Sequence, residues 1–384
     1  MKQEFCLSSY QTWKFSLITL TLRRILKGTS INRTSRCVLV LICSALMNGC
    51  GYVYFLPSAK ITQHLENLVV METSKTDFGP SRSRTISICR EFYRHYEDEF
   101  DVLVLVAHNP EYIVDLWGDG YSGRMKVVRN AVAGIGVEIL DIGEVFGSEH
   151  RLKGVVRLIH PDHIHNGTLL HEIMHLWKSD LEVIPSTEHG HWGFSSVGGQ
   201  LGGFQLDELR SLGDRKYTAG NFAPQRAKES VPYSPLEMYL AGFIPSSEVP
   251  DIWVAEDGSW LMSKWIKGRR HVQQDAAGNR IFRARKISTW SIEQIVEKIG
   301  PRFPNFEHSQ KEFRVAFVFV TDGRVPVEEA ELASTKFYIQ QFTKKGPISP
   351  WFKGVLEVDS LYNFWGATRG IATMETGDLQ SFRR

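Results

Sequence analysis

An α+β fold is what the 384-residue sequence predicts: a mixed sheet, a helix carrying a polar stripe against it, and a C-terminal α/β subdomain. Three observations carry that prediction. Residues 101–107 (DVLVLVA) form a continuous apolar run after a charged turn, the mark of a buried strand, and residues 312–321 (EFRVAFVFVT) are a strand by composition. Residues 168–177 (TLLHEIMHLW) place Leu169, Leu170, Ile173, Met174 and Leu176 around a helix, with His171, Glu172 and His175 left on one polar stripe. Ser291-Ile-Glu-Gln294 is a capping box, and Gly300-Pro301 ends the helix it starts.

Composition narrows the class. An apolar content of 42% and a charged content of 23% fit a globular chain of one large domain or two ordinary ones. The net charge of +2, with no basic stripe interleaved with aromatics, gives no reason to expect a nucleic-acid partner. No internal repeat is visible.

The N-terminus reads as an export signal. Arg33 and Arg36 precede the apolar run 38–47 (VLVLICSALM), which is too short to span a bilayer comfortably and is followed by Asn48-Gly49-Cys50. LMNGC resembles a bacterial lipobox, which implies lipidation of Cys50, membrane anchoring, and a periplasmic or cell-surface location. Met47 and Asn48 depart from the usual lipobox residues, and an ordinary cleaved signal or an uncleaved anchor are the alternatives. Cys6, Cys37 and Cys43 precede Cys50, so the mature chain keeps one further cysteine, Cys89, and no internal disulfide. Cys89 sits in a helical pattern and is expected as a buried small hydrophobe.

In chain order, residues 1–49 are expected as leader, 50–80 as a lead-in, 81–250 as the main domain and 251–384 as the subdomain. Residues 82–96 have helical periodicity through Ile86, Ile88, Phe92 and Tyr96. Residues 134–142 and 154–159 are strand candidates. His160, His163 and His165 crowd a loop expected to be polar and exposed. The insert 179–232 carries Gly198, Gly199, Gly202 and Gly203 without the Lys-Ser/Thr of a phosphate loop, so a surface loop, a lid or a substrate rim is expected. Residues 253–285 have strand-like stretches, 327–342 are helical, and 351–376 read as loop and short strand.

Residues 171–175 are His-Glu-x-x-His. Positions four apart on a helix share a face, so both imidazoles reach one metal ion, and Glu172 lies where it can take a proton from water that the ion activates. The alternative is a buried helix with two satisfied histidines. Beyond the motif, the blocks DEFDVLVLVAHN, GIGVEILDIGEVFGSEHRLKGVV, GTLLHEIMHLW, GHWGF, YSPLEMYLAGFIPSSEVP and FWGATRGIATMET resemble successive blocks of a zincin-fold metalloprotease family of exported bacterial proteins, over about residues 97–376. The resemblance implies a zincin-like domain and a zinc-dependent hydrolase acting on a peptide or protein substrate. Two departures stand out: Met174 occupies a position where the family usually has Gly, and Arg369-Gly370 replaces Gly-Arg.

A catalytic zinc takes three protein ligands and keeps one position open. The metzincin third histidine is absent after His175. His191 in HGHWGF, Glu237 in SPLEMYL and His189 remain as third-ligand candidates. Glu237 has a competing role, since Ser234-Pro235-Leu236-Glu237 is itself a capping box. Tyr239 is a candidate oxyanion donor or an aromatic packing residue, and Met238 a candidate floor or plain core. The expectation is therefore an exported zinc metallopeptidase with Glu172 as general base. A non-catalytic surface lipoprotein used for binding and a zinc-dependent amidase on a non-peptide substrate are the other readings.

Overall fold

The computed structural model of the chain describes residues 58–73, 81–108, 122–178, 182–185, 190–204, 209–223, 230–265, 270–356 and 360–384. These all belong to one compact unit, Leu56–Arg384. The leader, Cys50 and His189 lie outside the described residues.

The chain is mixed α+β and built on a seven-stranded mixed sheet. Its strands are β1 (Ala59–His64), β2 (Val69–Thr73), β3 (Val102–Ala107), β4 (Gly123–Val127), β5 (Gly154–Leu158), β8 (Glu312–Thr321) and β9 (Thr373–Glu375). The order is β1-β2-β8-β3-β5-β4, with β9 pairing β8. Strands β2, β8, β3 and β5 run parallel, while β1 and β4 are antiparallel to their neighbours.

Period-2 alternation splits the central strands between two cores. Val102, Val104 and Val106 of β3, with Val315, Phe317 and Phe319 of β8, face one side. Leu103 and Leu105, with Ala316, Val318 and Val320, face the other. Helix α1 (Ser81–His95) covers the second side through Ile86, Ile88, Cys89 and Phe92. Cys89 is fully buried there, and burial pushes its thiol pKa well up, so it packs as a hydrophobe. The first side is covered by α2 (Thr168–Met174), α3 (Pro235–Ala241), α4 (Ile292–Ile299) and α5 (Glu329–Thr343).

A second, two-stranded sheet pairs β6 (Ile252–Glu256) with β7 (Lys286–Trp290). Strand β6 joins two cores by the same alternation: Ile252 and Val254 enter the main one. Trp253 and Ala255 enter an aromatic cluster with Phe194, Phe204 and Phe282.

Four expectations change. The segment 50–80, read as a lead-in, supplies the β1–β2 edge hairpin. Residues 134–142 yield only the short pairing strand Leu140–Asp141, because Gly134 and Gly136 take φ of 73° and 72°, outside the strand region. The boundary expected at residue 250 does not separate one sheet from another, since β8 from the C-terminal third lies between β2 and β3 in the middle of the main sheet. Residues 351–376, read as loop and short strand, also hold the helices Pro350–Leu356 and Phe364–Ala367.

Candidate metal centre

Helix α2 packs its apolar side, Leu169, Leu170, Ile173 and Met174, into the main core beside β4 and β5. Its N-cap is Gly167 at φ 93°. Thr168 is the first helical residue, and its hydroxyl donates to Asn166 Oδ1 at 3.0 Å. The helix then tightens, with the His175, Leu176 and Trp177 amides donating to the carbonyls three residues back at 3.0–3.1 Å. His175 keeps helical backbone angles as the C-cap, so the four-residue spacing to His171 still puts both rings on one side.

One ring nitrogen each from His171, His175 and His191 lie within 4.8 Å of one another. His171 Nδ1 lies 2.7 Å from the Gln200 carbonyl and His175 Nδ1 3.0 Å from the Lys178 carbonyl. A carbonyl only accepts, so each Nδ1 carries the proton and each Nε2 keeps its lone pair. Burial first, and then the neighbouring His175 and His191, lower the His171 pKa to about 3, so this imidazole is neutral at ordinary pH.

His171 Nε2 and His191 Nε2 stand 3.1 Å apart. That is close to the roughly 3.3 Å separating two nitrogens bound tetrahedrally at about 2.0–2.1 Å to one zinc. A proton between the two rings would account for that pair and leave the convergence of the third ring unexplained. The donor set therefore fits a zinc ion: nitrogen ligands, with two tautomers fixed from behind.

His191 is brought in by residues 190–204, which the sequence suggested as a lid, rim or surface loop. Most of this segment is buried and bound to β6: the Ser196 amide donates to the Trp253 carbonyl at 3.0 Å and the Ala255 amide to the Phe194 carbonyl at 2.8 Å. Its glycines serve tight passage. A Cβ on Gly199 would stand 2.0 Å from Glu237 Oε2.

Glu237 is placed elsewhere than as a ligand. Its carboxylate accepts from Trp192 Nε1 (2.9 Å) and the Leu201 amide (2.8 Å) at one oxygen, and from the Gln200 (3.0 Å) and Ser234 (2.9 Å) amides at the other. The capping box read from the sequence is present, and its acid is saturated. Burial pushes the Glu237 pKa up and the four donors pull it back. Both oxygens accept, and only donors face them.

Tyr239, on α3, is buried at 6% exposure, and its hydroxyl accepts from the Arg302 amide at 3.4 Å. Met238 is fully buried core. Glu172 is buried at 7% exposure, beside the imidazoles on α2. It lies against the start of β4, where a Cβ on Gly123 would meet Glu172 Cγ at 2.8 Å. Gly123, Trp192 and the carbonyls of Gln200 and Lys178 escaped the sequence reading; only the Trp beside His191 in GHWGF gave a signal.

Strand β4 stands at the end of the sheet path and pairs β5. No family model, no curated protein and no solved structure matches this chain. Among the described residues no helix is long and apolar enough to cross a membrane.

Proposed function

We propose that the chain is a zinc-dependent metallopeptidase with a zincin-like active site, exported and anchored through Cys50. The observation that carries the reading is the convergence of three imidazole nitrogens beside Glu172, two of them with Nδ1 held on backbone carbonyls. His171, His175 and His191 would hold the ion. Bound there, zinc would supply Lewis-acid polarisation of a scissile carbonyl and bring the pKa of water toward about 7.

The remaining work falls to the chain. Glu172, nearly removed from solvent, takes a proton from the attacking water and passes it to the departing amine.

A second reading has its own support. A cleft of about 590 Å³, lined by Asn221, Ser230, Gln274, Asn279 and Arg280, reaches Gly198 and Val231, and the Gln200 side chain donates to the Val231 carbonyl. Such polar walls would suit an amide in a hydroxyl-rich, non-peptide substrate.

Zinc analysis of purified protein and a broad peptide-library digest test the proposal. The expected result is stoichiometric zinc and peptide cleavage, with Glu172→Gln keeping the zinc and losing roughly 10²–10⁴-fold in rate. Cleavage retained by Glu172→Gln would refute the role of that acid. Zinc binding with no peptide cleaved would favour the second reading.

A further inference from the structure

We infer that Glu237 is a positioning residue of the histidine centre, setting two of its three imidazoles through the 190–204 segment. The inference rests on reading His171, His175 and His191 as a metal centre.

A helix cap needs one of Glu237's four hydrogen bonds, the one from the Ser234 amide. The other three come from a different stretch of chain. The Trp192 indole, next in sequence to His191, and the Leu201 amide donate to Oε1, while the Gln200 amide donates to Oε2. Gln200 then turns its carbonyl to His171 Nδ1. One buried carboxylate thus fixes the neighbour of one ligand and the peptide unit that orients another. The segment is closed on itself, since the Trp192 amide donates to the Leu201 carbonyl at 2.9 Å. The contact is also close enough to require glycine at 199.

The chemistry demands an acid with two equivalent oxygens, each accepting two N–H groups. Glutamine has the same shape but one oxygen. Its NH₂ would face either the Gln200 and Ser234 amides or the Trp192 indole and the Leu201 amide, donor against donor. Groups behind metal-binding imidazoles commonly change metal affinity by 10–100-fold.

The test measures zinc affinity by chelator competition on the folded full chain, and the visible spectrum of the cobalt(II)-substituted protein. Glu237→Gln is expected to bind zinc roughly 10–100-fold more weakly, with shifted cobalt bands. Trp192→Phe, which removes one donor and keeps a ring, is expected to weaken binding by roughly 3- to 10-fold. A folded Glu237→Gln with unchanged affinity and spectrum, even at lower stability, would reduce Glu237 to a helix cap and overturn the inference. If Glu237→Gln does not fold, Trp192→Phe decides alone, and unchanged zinc affinity overturns it. A wild-type protein that binds no zinc would instead sink the metal reading beneath it.

Discussion

Two groups of three histidines lie close together in this sequence, and they are arranged differently. His171, His175 and His191 bring ring nitrogens within 4.8 Å of one another. His160, His163 and His165 sit on and around the 3-10 turn Pro161–Ile164, just before α2, and each ring does something different. His160 Nδ1 accepts from the Asp162 amide at 3.2 Å and caps the turn. His163 leaves Nδ1 without a hydrogen bond. His165, expected on an exposed loop, is buried against Tyr338 and Phe352 with both ring nitrogens unpartnered. Crowding histidines in sequence is therefore not enough. A centre needs rings whose far nitrogens are tied down so that their lone pairs meet.

The comparison breaks most sharply at the metal itself. His171→Ala should abolish stoichiometric zinc binding, and His163→Ala should leave it untouched, both read by metal analysis of folded protein. Equal zinc in the two variants would erase the distinction.

The next largest effect is on pH dependence. Burial, opposed by Asp162, lowers the His165 pKa from 6.5 to about 4. Between those values the unfolded chain binds the proton that the folded chain refuses. Stability from this group is thus full above pH 6.5 and lost as pH falls toward 4, up to about 3 kcal/mol in all. His165→Leu should remove that loss, so its advantage over wild type in denaturant melts should grow from pH 7 to pH 4. Parallel curves would show that His165 is solvated. His160 works the other way: its hydrogen bond to Asp162 raises its pKa, so its contribution is present at low pH and fades as pH rises through the folded value.

The smallest effect is local. His160→Ala loses a capping acceptor on a partly exposed turn, an expected cost of about 0.5–1 kcal/mol with unchanged zinc content. A larger cost, or lost metal, would mean that the turn supports α2 more than its single hydrogen bond suggests.

Much of this was legible in the sequence, for identifiable reasons. The placement of His171 and His175 on one side of α2 follows from helical spacing alone. Both capping boxes, at Ser234 and Ser291, were readable because they are local. The central strands β3 and β8 announced themselves by apolar runs. That Glu237 is held away from the imidazoles was not readable, because it depends on the Trp192, Gln200 and Leu201 donors reaching it from 36 to 45 positions away. Strand β4, GRMKV, escaped for a different reason. It is an edge strand only half buried, so its apolar signal is weak. The strand expected over 134–142 failed on glycines whose positive φ the composition does not reveal.

The position of β8 has a consequence for how the protein is made. A ribosome must deliver residue 321 before β2 and β3 have the partner that both flank. Until then two apolar strands hold unpaired backbone toward one another, and α2 rests on an unfinished floor. The nascent chain is therefore exposed to aggregation during that interval.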